Sequence, residues 1–234
     1  MSNSWFRFKR FMVNQEDCAM KVGTDGVLLG AWADIPAGCR VLDIGTGTGL
    51  VALMAAQRGA GSVTALEIDA DAAAQAGRNA ATSEWAGIID VITADVACFR
   101  TDKKFDRIVS NPPYFRDSLR SPDSGRNTAR HNDTLSYETL VRCSVSMLSD
   151  GGQLSVVLPY DAAGDFMRQA QTAGLCLVRR TDVVTAMGRE PKRSLLAFST
   201  AYAEPSVNVL SMHDENGDES AEYVALVKDF YLKY

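Results

Sequence analysis

The chain has 234 residues, of which 46% are apolar and 23% are charged. These proportions are close to the average for globular proteins, and they exclude a disordered, collagen-like or coiled-coil chain. With a formal net charge of -5, the overall field has the wrong sign to hold nucleic acid, so any such binding must depend on local clusters of basic residues.

The first predicted element is a helix from Gly23 to Ala33, where Val27, Leu28 and Trp32 recur at helical spacing. It precedes the first strand, so we expect it to pack against the sheet within a short N-terminal extension of about residues 1–35. No internal repeat or low-complexity linker divides the rest of the chain. The sequence therefore predicts a single domain over residues 1–234.

Strand and helix patterns alternate after the first helix, which is typical of a parallel sheet with helices on both faces. Seven strands are predicted, and they fit one twisted sheet: 41–44, 63–67, 88–93, 105–110, 153–158, 175–184 and 195–198. The predicted helices between them cover residues 50–57, 71–81 and 161–173, with a further helix that starts at Tyr137 and ends at Asp150–Gly152.

The strongest local motif is LDIGTGTGL, residues 42–50, in which a strand runs through a glycine turn into a helix. Glycines at such a turn let the backbone lie against a ligand. The spacing is G-x-G-x-G, and Leu50 stands where a dinucleotide-binding turn needs its third small residue. The motif therefore favours a nucleoside ligand over NAD.

Acidic residues lie at the ends of three successive predicted strands, and the carboxyl ends of parallel strands meet at one crevice. A negatively lined crevice suits a cationic, phosphate-free nucleoside such as S-adenosyl-L-methionine. The carboxylate that ends the second strand can accept hydrogen bonds from ribose hydroxyls. The predicted cofactor-binding residues are Asp43, Gly45, Gly47, Gly49, Glu67 and Asp95.

The most discriminating motif is Asn111–Pro112–Pro113–Tyr114, directly after the fourth strand. An exocyclic amine conjugated with a ring is a poor nucleophile, so its hydrogens must be held by acceptors while the nitrogen attacks a methyl donor. The side-chain oxygen of Asn111 and the carbonyl of Pro112 can supply two such acceptors, and Tyr114 can stack on a flat base. These four residues are the predicted catalytic residues.

The five cysteines and two histidines show neither a C-x-x-C pair nor metal-ligand spacing, so no metal site is predicted. The longest stretch without a charge, residues 44–57, is too short to span a bilayer and contains three glycines. With no export signal apparent, we expect a cytoplasmic protein with reduced thiols and no membrane association.

Taken together, these motifs resemble the class I S-adenosylmethionine-dependent methyltransferases that modify planar amino groups. Four further segments resemble the bacterial tRNA1(Val) (adenine(37)-N6)-methyltransferases: residues 6–9, 21–32, 129–131 and 221–232. The resemblance covers nearly the whole chain and implies a Rossmann-like class I methyltransferase fold, with a seven-stranded, mostly parallel sheet. It also implies N6-methylation of the adenine that lies 3′ of the anticodon in a valine tRNA.

Three stretches of the chain are locally basic, although the protein as a whole is acidic. If the substrate is a tRNA anticodon loop, residues of the first two stretches would contact its phosphates: Arg7, Lys9, Arg10, Arg116, Arg126 and Arg130. The third stretch, residues 179–193, contains five basic residues against two acidic ones.

Three other functions remain open at this point. The same motifs would serve to methylate a glutamine amide in a peptide-release factor, although such enzymes usually carry a helical N-terminal domain and only about forty residues precede the glycine turn here. Methylation of rRNA is a second possibility. A third is an RNA-binding module with a vestigial site.

Overall fold

The computed structural model describes residues 3–18, 20–113 and 135–234. An antiparallel hairpin of β1 (Trp5–Arg7) and β2 (Met12–Asn14) comes first. The helices are α1 (Thr24–Trp32), α2 (Leu50–Gln57), α3 (Ala70–Ala81), α4 (Tyr137–Met147), α5 (Ala163–Thr172) and α6 (Ala221–Val227). The strands of the main sheet are β3 (Arg40–Ile44), β4 (Ser62–Glu67), β5 (Ile89–Thr93), β6 (Phe105–Ser110), β7 (Leu148–Pro159), β8 (Cys176–Ala186), β9 (Arg193–Ser199) and β10 (Ser206–His213).

The main sheet has the strand order β10-β8-β9-β7-β6-β3-β4-β5. Within it, β9 runs antiparallel to both β7 and β8, and the other neighbouring pairs are parallel. The predicted mostly parallel sheet with flanking helices is therefore confirmed, and all seven predicted strands are present.

The eighth strand, β10, corrects the predicted strand number. It lies in an acidic segment and forms the edge of the sheet beside β8, where its first four residues are exposed. The strand buries little of its surface, and its place in the sheet depends on pairing with β8, a tertiary contact that the spacing of residues along the chain does not show.

Strand β7 also begins earlier than predicted. The helix before it ends at Met147, and Gly151 and Gly152 lie inside the strand instead of ending the helix. The pairing with β6 shifts register between Phe105 and Arg107 at this point, so the two glycines lie at an irregular part of the ladder.

Alternating side chains of the central strands fill two separate cores, one on each face of the sheet. Val109 packs with residues of α1 and α2, whereas the preceding Ile108 packs with residues of α4 and α5. Both termini join the first core: Phe8 stacks on Phe11 with ring centroids 4.7 Å apart, and the Lys9 amide donates to the carbonyl of Phe230 at 2.8 Å. The N-terminal hairpin is thus packed into the first core.

Helix α1 is joined to strands β8 and β10 by hydrogen bonds between side chains. The indole Nε1 of Trp32 donates to Thr181 Oγ1 at 2.8 Å, and the Thr181 hydroxyl donates in turn to Asn208 Oδ1. Trp32 and Thr181 are both buried. This chain of hydrogen bonds links α1, β8 and β10.

We expect Thr181→Val to lower the free energy of unfolding by about 1–3 kcal/mol, because the buried indole N–H of Trp32 would lose its acceptor at nearly constant side-chain volume. Urea unfolding followed by tryptophan fluorescence measures this. Thr185→Val, an exposed position on the same strand, is the matched control. Equal stabilities of the two variants would contradict the structural role assigned to Thr181.

Candidate active site

The carboxyl ends of β3, β4, β5 and β6 lie along one edge of the sheet because these strands are parallel. The glycine turn follows β3, Glu67 ends β4, and Asn111 follows β6. Asp95 lies just beyond the end of β5. The topology therefore brings the predicted cofactor-binding and catalytic residues that the structure describes to the same edge of the sheet.

The glycine turn has a backbone that only glycine adopts readily. Gly45, Gly47 and Gly49 have φ values of 73°, 55° and 83°, all in the left-handed region, and Gly49 is the N-cap of α2. The amides of Gly45 and Thr46 donate to the Leu66 carbonyl, at 2.9 and 3.0 Å, which ties the turn to β4. A Cβ on Gly45 would meet no atom within 4 Å, so a ligand can lie directly against the backbone there.

Glu67 holds the glycine turn from the neighbouring strand. Its Oε2 accepts a hydrogen bond from the Gly47 amide at 2.8 Å, and its Oε1 accepts from the amides of Ile68 and Asp69 at 2.9 and 3.1 Å. A carboxylate has about four acceptor positions, so capacity remains for a ribose hydroxyl after these three contacts. Glu67 therefore both organises the turn and can face a ligand.

Asp43 does not line the crevice, which corrects the expected negative lining. Its side chain is 1% exposed and lies beneath the turn, where Oδ2 accepts a hydrogen bond from the Thr46 hydroxyl at 2.6 Å. Burial raises the pKa of Asp43 to about 7, while the contacts with Thr46 and the backbone of Ala52 act in the opposite direction. Asp43 therefore supports the turn through its contact with Thr46.

Asp95 is exposed, and its Oδ1 accepts a hydrogen bond from the amide of Ala97 at 2.8 Å. The carboxylate thereby stabilises the turn that follows β5. Its exposed position at the carboxyl edge leaves it open to a ligand on the side of the crevice formed by β4 and β5.

The Asn111–Pro112–Pro113 segment is joined to the glycine turn through the strand ends. Ser110, which is fully buried, donates its hydroxyl to the Ile44 carbonyl at 2.8 Å. Asn111 is partly exposed and Pro112 is buried. Tyr114, the fourth predicted catalytic residue, lies outside the described residues.

Helix α1 approaches the same point, and Gly26 makes this approach possible. A Cβ on Gly26 would lie 3.1 Å from Leu50 Cδ2 and 4.0 Å from Asn111 Nδ2. A larger residue would therefore press on the first residue of α2 beside Asn111. The roles of Ser110 and Gly26 do not follow from local sequence motifs, because both residues contact distant parts of the chain.

Asn79 on α3 also supports the site, although no sequence motif includes it. Its side chain is 1% exposed and makes three hydrogen bonds with backbone groups. Its Oδ1 accepts from the backbone N–H of Asn14 at 3.0 Å, and its Nδ2 donates to the backbone carbonyls of Asn14 and Thr48 at 2.8 and 2.9 Å. Asn79 thus joins the N-terminal hairpin to the glycine turn.

The segment after the hairpin lies beside the turn. Cys18 Sγ is 3.7 Å from the position that a Cβ on Gly47 would take, and Asp17 forms an ion pair with Arg78 at 2.5 Å. Burial raises the pKa of the Cys18 thiol. Residues 14–18 therefore form a wall next to the glycine turn, fastened to α3 by Asn79 and Arg78.

The predicted phosphate contacts of the N-terminal hairpin differ in their surroundings. Arg7 is exposed. Lys9 Nζ donates to the Lys228 carbonyl at 2.8 Å, and Arg10 pairs with Glu84 at 2.6 Å and lies over the Trp85 ring. Arg116, Arg126 and Arg130 lie outside the described residues.

Two other findings concern the described ranges alone. Residues 3–18, 20–113 and 135–234 contain no group of three or more His, Cys, Asp or Glu side chains arranged to hold a metal ion. No helix in the same ranges combines the length and the apolar composition needed to cross a membrane.

The residues at the crevice fit S-adenosyl-L-methionine. The open space at Gly45 leaves room for a nucleoside against the backbone, and Glu67 retains acceptor capacity for its ribose. The carboxylates of Glu67 and Asp95 favour a ligand with positive charge on sulfur and nitrogen over a phosphorylated one.

Comparison with known proteins gives the same class. A family model for the methyltransferase small domain matches residues 23–164. The fold is similar to a predicted O-methyltransferase of Agrobacterium tumefaciens, with 22% identity, a TM-score of 0.68, and coverage of 88% of this chain and 96% of the other. It is also similar to a methyltransferase of Pyrococcus furiosus, with 21% identity, a TM-score of 0.58, and coverage of 81% and 90%.

Much closer relatives match over the full length. A tRNA1(Val) (adenine(37)-N6)-methyltransferase of Bacteroides fragilis is 49% identical over 236 residues, covering 100% of both chains. The enzyme of the same name from Phocaeicola vulgatus is 47% identical and covers 99% of both chains.

The fold and the crevice define a class I methyltransferase with S-adenosyl-L-methionine as its cofactor. Within that class, the chain belongs to the family of tRNA1(Val) (adenine(37)-N6)-methyltransferases.

The buried carboxyl of Asp43 predicts a pH dependence of stability. Its pKa is about 7 in the folded protein and about 4 in the unfolded chain, so the proton is bound more tightly when folded. The contribution of Asp43 to the free energy of unfolding is therefore at its maximum below about pH 4, and it is lost as the pH rises to about 7. We expect Asp43→Asn, which stays neutral, to gain stability relative to wild type over this interval, by up to about 1.4 kcal/mol per pH unit.

Urea unfolding at several pH values between 4 and 7 measures the difference between the two proteins. Asp102→Asn, at an exposed position, is the control and should follow the wild-type pH profile. Parallel profiles for wild type and Asp43→Asn would show that folding leaves the pKa of Asp43 unchanged, and would contradict the prediction.

Asn79→Asp tests the wall beside the glycine turn. The aspartate cannot donate hydrogen bonds to the carbonyls of Asn14 and Thr48. Residues 14–18 should therefore lose their attachment to α3 at this position and become more mobile. We expect the KM for the methyl donor to rise about 10-fold, with kcat at saturating donor changed less than twofold. Iodoacetamide should label Cys18 faster in the variant, as quantified by peptide mass spectrometry.

Asn216→Asp, in the exposed turn between β10 and α6, is the matched control. If both variants have the same donor KM and the same Cys18 labelling rate as wild type, the wall plays no part in donor binding.

Proposed function

We propose that the protein transfers a methyl group from S-adenosyl-L-methionine to N6 of an adenine in tRNA, the residue 3′ of the anticodon in a valine tRNA. The observation that carries this proposal is the position of Asn111 and Pro112 beside the glycine turn, joined to it by the Ser110–Ile44 hydrogen bond. The substrate follows from relatives of the same length that are named for this reaction.

The proposed donor site consists of Gly45, Gly47, Gly49, Glu67 and Asp95, with Asp43 beneath the turn. When bound, the donor supplies a methyl carbon attached to a positively charged sulfur. Glu67 would accept from a ribose hydroxyl through the capacity left by its three backbone contacts, and Asp95 would accept from the adenine amine of the donor. Asp43 would keep the turn in shape through Thr46.

The proposed role of Asn111 and Pro112 is to hold the target amine. The Asn111 side-chain oxygen and the Pro112 carbonyl would each accept one N6 hydrogen, so that the nitrogen lone pair turns out of conjugation with the ring and toward the methyl carbon. Because the rings of Pro112 and Pro113 fix their φ angles, the backbone there would hold the two acceptor oxygens in a constant orientation toward the target amine. Tyr114 would stack on the target base.

No strong base is required for this reaction. The methylated ammonium is far more acidic than the starting amine, so it can lose its proton to water. The protein therefore has to hold the amine in the orientation from which its nitrogen can attack the methyl carbon. Two fixed hydrogen-bond acceptors can do this.

We further propose that residues 1–234 act as one methyltransferase domain. The N-terminal hairpin packs in the same core as α1 and α2, and Asn79 joins it to the glycine turn. An extension with these contacts would complete the donor site instead of forming a separate unit.

Contacts with tRNA phosphates are proposed for Arg7, Lys9 and Arg10 on the hairpin. Arg116, Arg126 and Arg130, which lie outside the described residues, are proposed to contact the same RNA. Arg7 is exposed, whereas Lys9 and Arg10 would have to give up or share the contacts with Lys228 and Glu84. We place this activity in the cytoplasm, where the protein would meet its tRNA.

Two of the other functions use the same residues. Methylation of a release-factor glutamine or of rRNA would also employ Asn111 and Pro112, but the relatives that match over the full chain are named for a tRNA adenine. A vestigial site is disfavoured because the three glycines, Glu67 and Asn111 are all in place at one edge of the sheet.

Asn111→Ala should lower kcat by about 10²–10³ while the dissociation constant of the donor changes little, because the lost hydrogen bond acts on the reacting amine. Asn111→Asp, which keeps an acceptor, should retain more activity than the alanine variant. The assay uses labelled donor with bulk tRNA from cells that lack the gene, and mass spectrometry locates the methylated nucleoside.

Purified release factor and rRNA are incubated in parallel. Label in the release factor or rRNA alone would overturn the proposed substrate. An equal loss of donor affinity in Asn111→Ala would overturn the proposed role of Asn111.

A further inference from the structure

We infer that the turn between β8 and β9 forms, together with Tyr160, a surface that binds the RNA next to the methylated adenine. This turn surface consists of Tyr160 and residues 187–192. The inference rests on the proposed function and names contacts beyond those of the N-terminal hairpin. It concerns the third basic stretch, which the proposed function leaves without a role.

The topology puts this surface at the edge of the sheet where Asn111 lies. Because β9 is antiparallel to both β7 and β8, β8 runs in the same direction as β7 and β6. The carboxyl end of β8 at Ala186 is therefore on the same edge as Asn111. With neighbouring strands about 4.8 Å apart, the start of β9 lies about 10 Å along this edge from β6. That distance suits a nucleotide adjacent to the target.

The turn is fastened at both sides. Arg193 Nε pairs with Asp25 Oδ2 at 2.7 Å, and the next residue on α1 is Gly26, which faces Asn111. On the other side, the Tyr160 amide donates to the Lys192 carbonyl at 3.2 Å. These contacts fix the turn surface relative to Asn111.

The exposed groups of the turn surface are those that bind unpaired RNA. Tyr160 is 39% exposed, and the guanidinium of Arg180, which also pairs with Asp182 at 2.9 Å, lies 5.5 Å from its ring centroid. Arg189 and Lys192 are exposed, with Glu190 between them. An aromatic ring flanked by cations gives a base a surface for stacking and gives its phosphate a positive partner. A tRNA anticodon loop offers both in adjacent nucleotides.

The same groups border a wide cleft. A volume of about 1700 Å³ opens between α4, α5 and the end of β7. Four basic residues line it (Arg142, Arg168, Lys192 and Arg193), together with Tyr160 and three acidic residues (Glu138, Asp161 and Asp165). The proposed donor-binding residues do not line this cleft, so it can receive RNA without displacing the donor.

Lys192→Ala tests the phosphate contact. We expect the KM for tRNA to rise about 5–10-fold, and the salt dependence of tRNA binding to fall by about one unit in the slope of log K against log salt. The donor KM should not change. Lys103→Ala, an exposed lysine in the loop before the amino end of β6, is the matched control and should behave as wild type.

Tyr160 is tested separately for stacking. Tyr160→Leu should raise the KM for tRNA about 5-fold or more, and Tyr160→Phe should restore it because phenylalanine keeps the flat ring. Equal KM values for tRNA and equal salt slopes in Lys192→Ala and Lys103→Ala, with wild-type behaviour of Tyr160→Leu, would overturn the inference.

The two proposals fail in different ways. If wild-type protein methylates tRNA and the turn-surface variants bind it normally, only the inference fails. If wild-type protein methylates release factor but no RNA, the proposed function fails and the inference falls with it.

Discussion

The left-handed backbone of the glycine turn constrains everything around it. A chain that turns through Gly45, Gly47 and Gly49 exposes amide groups that need acceptors, and the protein supplies them from the neighbouring strand through Glu67 and the Leu66 carbonyl. Beneath the turn, Asp43 accepts a hydrogen bond from Thr46, while its burial raises its pKa to about 7. The turn is therefore rigid before any ligand arrives, which lowers the entropy lost when one binds.

The strand end that carries Asn111 is tied to this turn by one buried hydroxyl, and two segments from the N-terminal extension complete the surroundings. Ser110 joins β6 to β3, Gly26 lets α1 approach Asn111, and Asn79 fastens the hairpin beside Thr48. A methyl transfer needs donor and acceptor within a few tenths of an ångström of their reactive positions. The extension thus contributes to a site whose chemistry is carried by other residues.

The sequence predicted the parts of the fold that bury apolar side chains in regular patterns. The strands around the glycine turn and the alanine-rich α3 were found because their periodicity is strong. Strand β10 was missed because its first residues are exposed at the edge of the sheet, and the start of β7 was misplaced because Gly151–Gly152 has the composition of a helix end. In both cases the pairing with a distant strand outweighed local preference.

For the site, the sequence by itself determined the residues whose chemistry is local: a glycine turn that follows a strand, and a polar residue stiffened by two prolines. Only the tertiary structure decided which of the acids face the crevice and which basic residues are already engaged. Asp43 is buried, Lys9 contacts Lys228, and Asn79 binds backbone from residues 14 and 48. The physical reason is that burial and hydrogen bonds between remote segments arise where the chain crosses itself, and neither follows from the spacing of residues along the sequence.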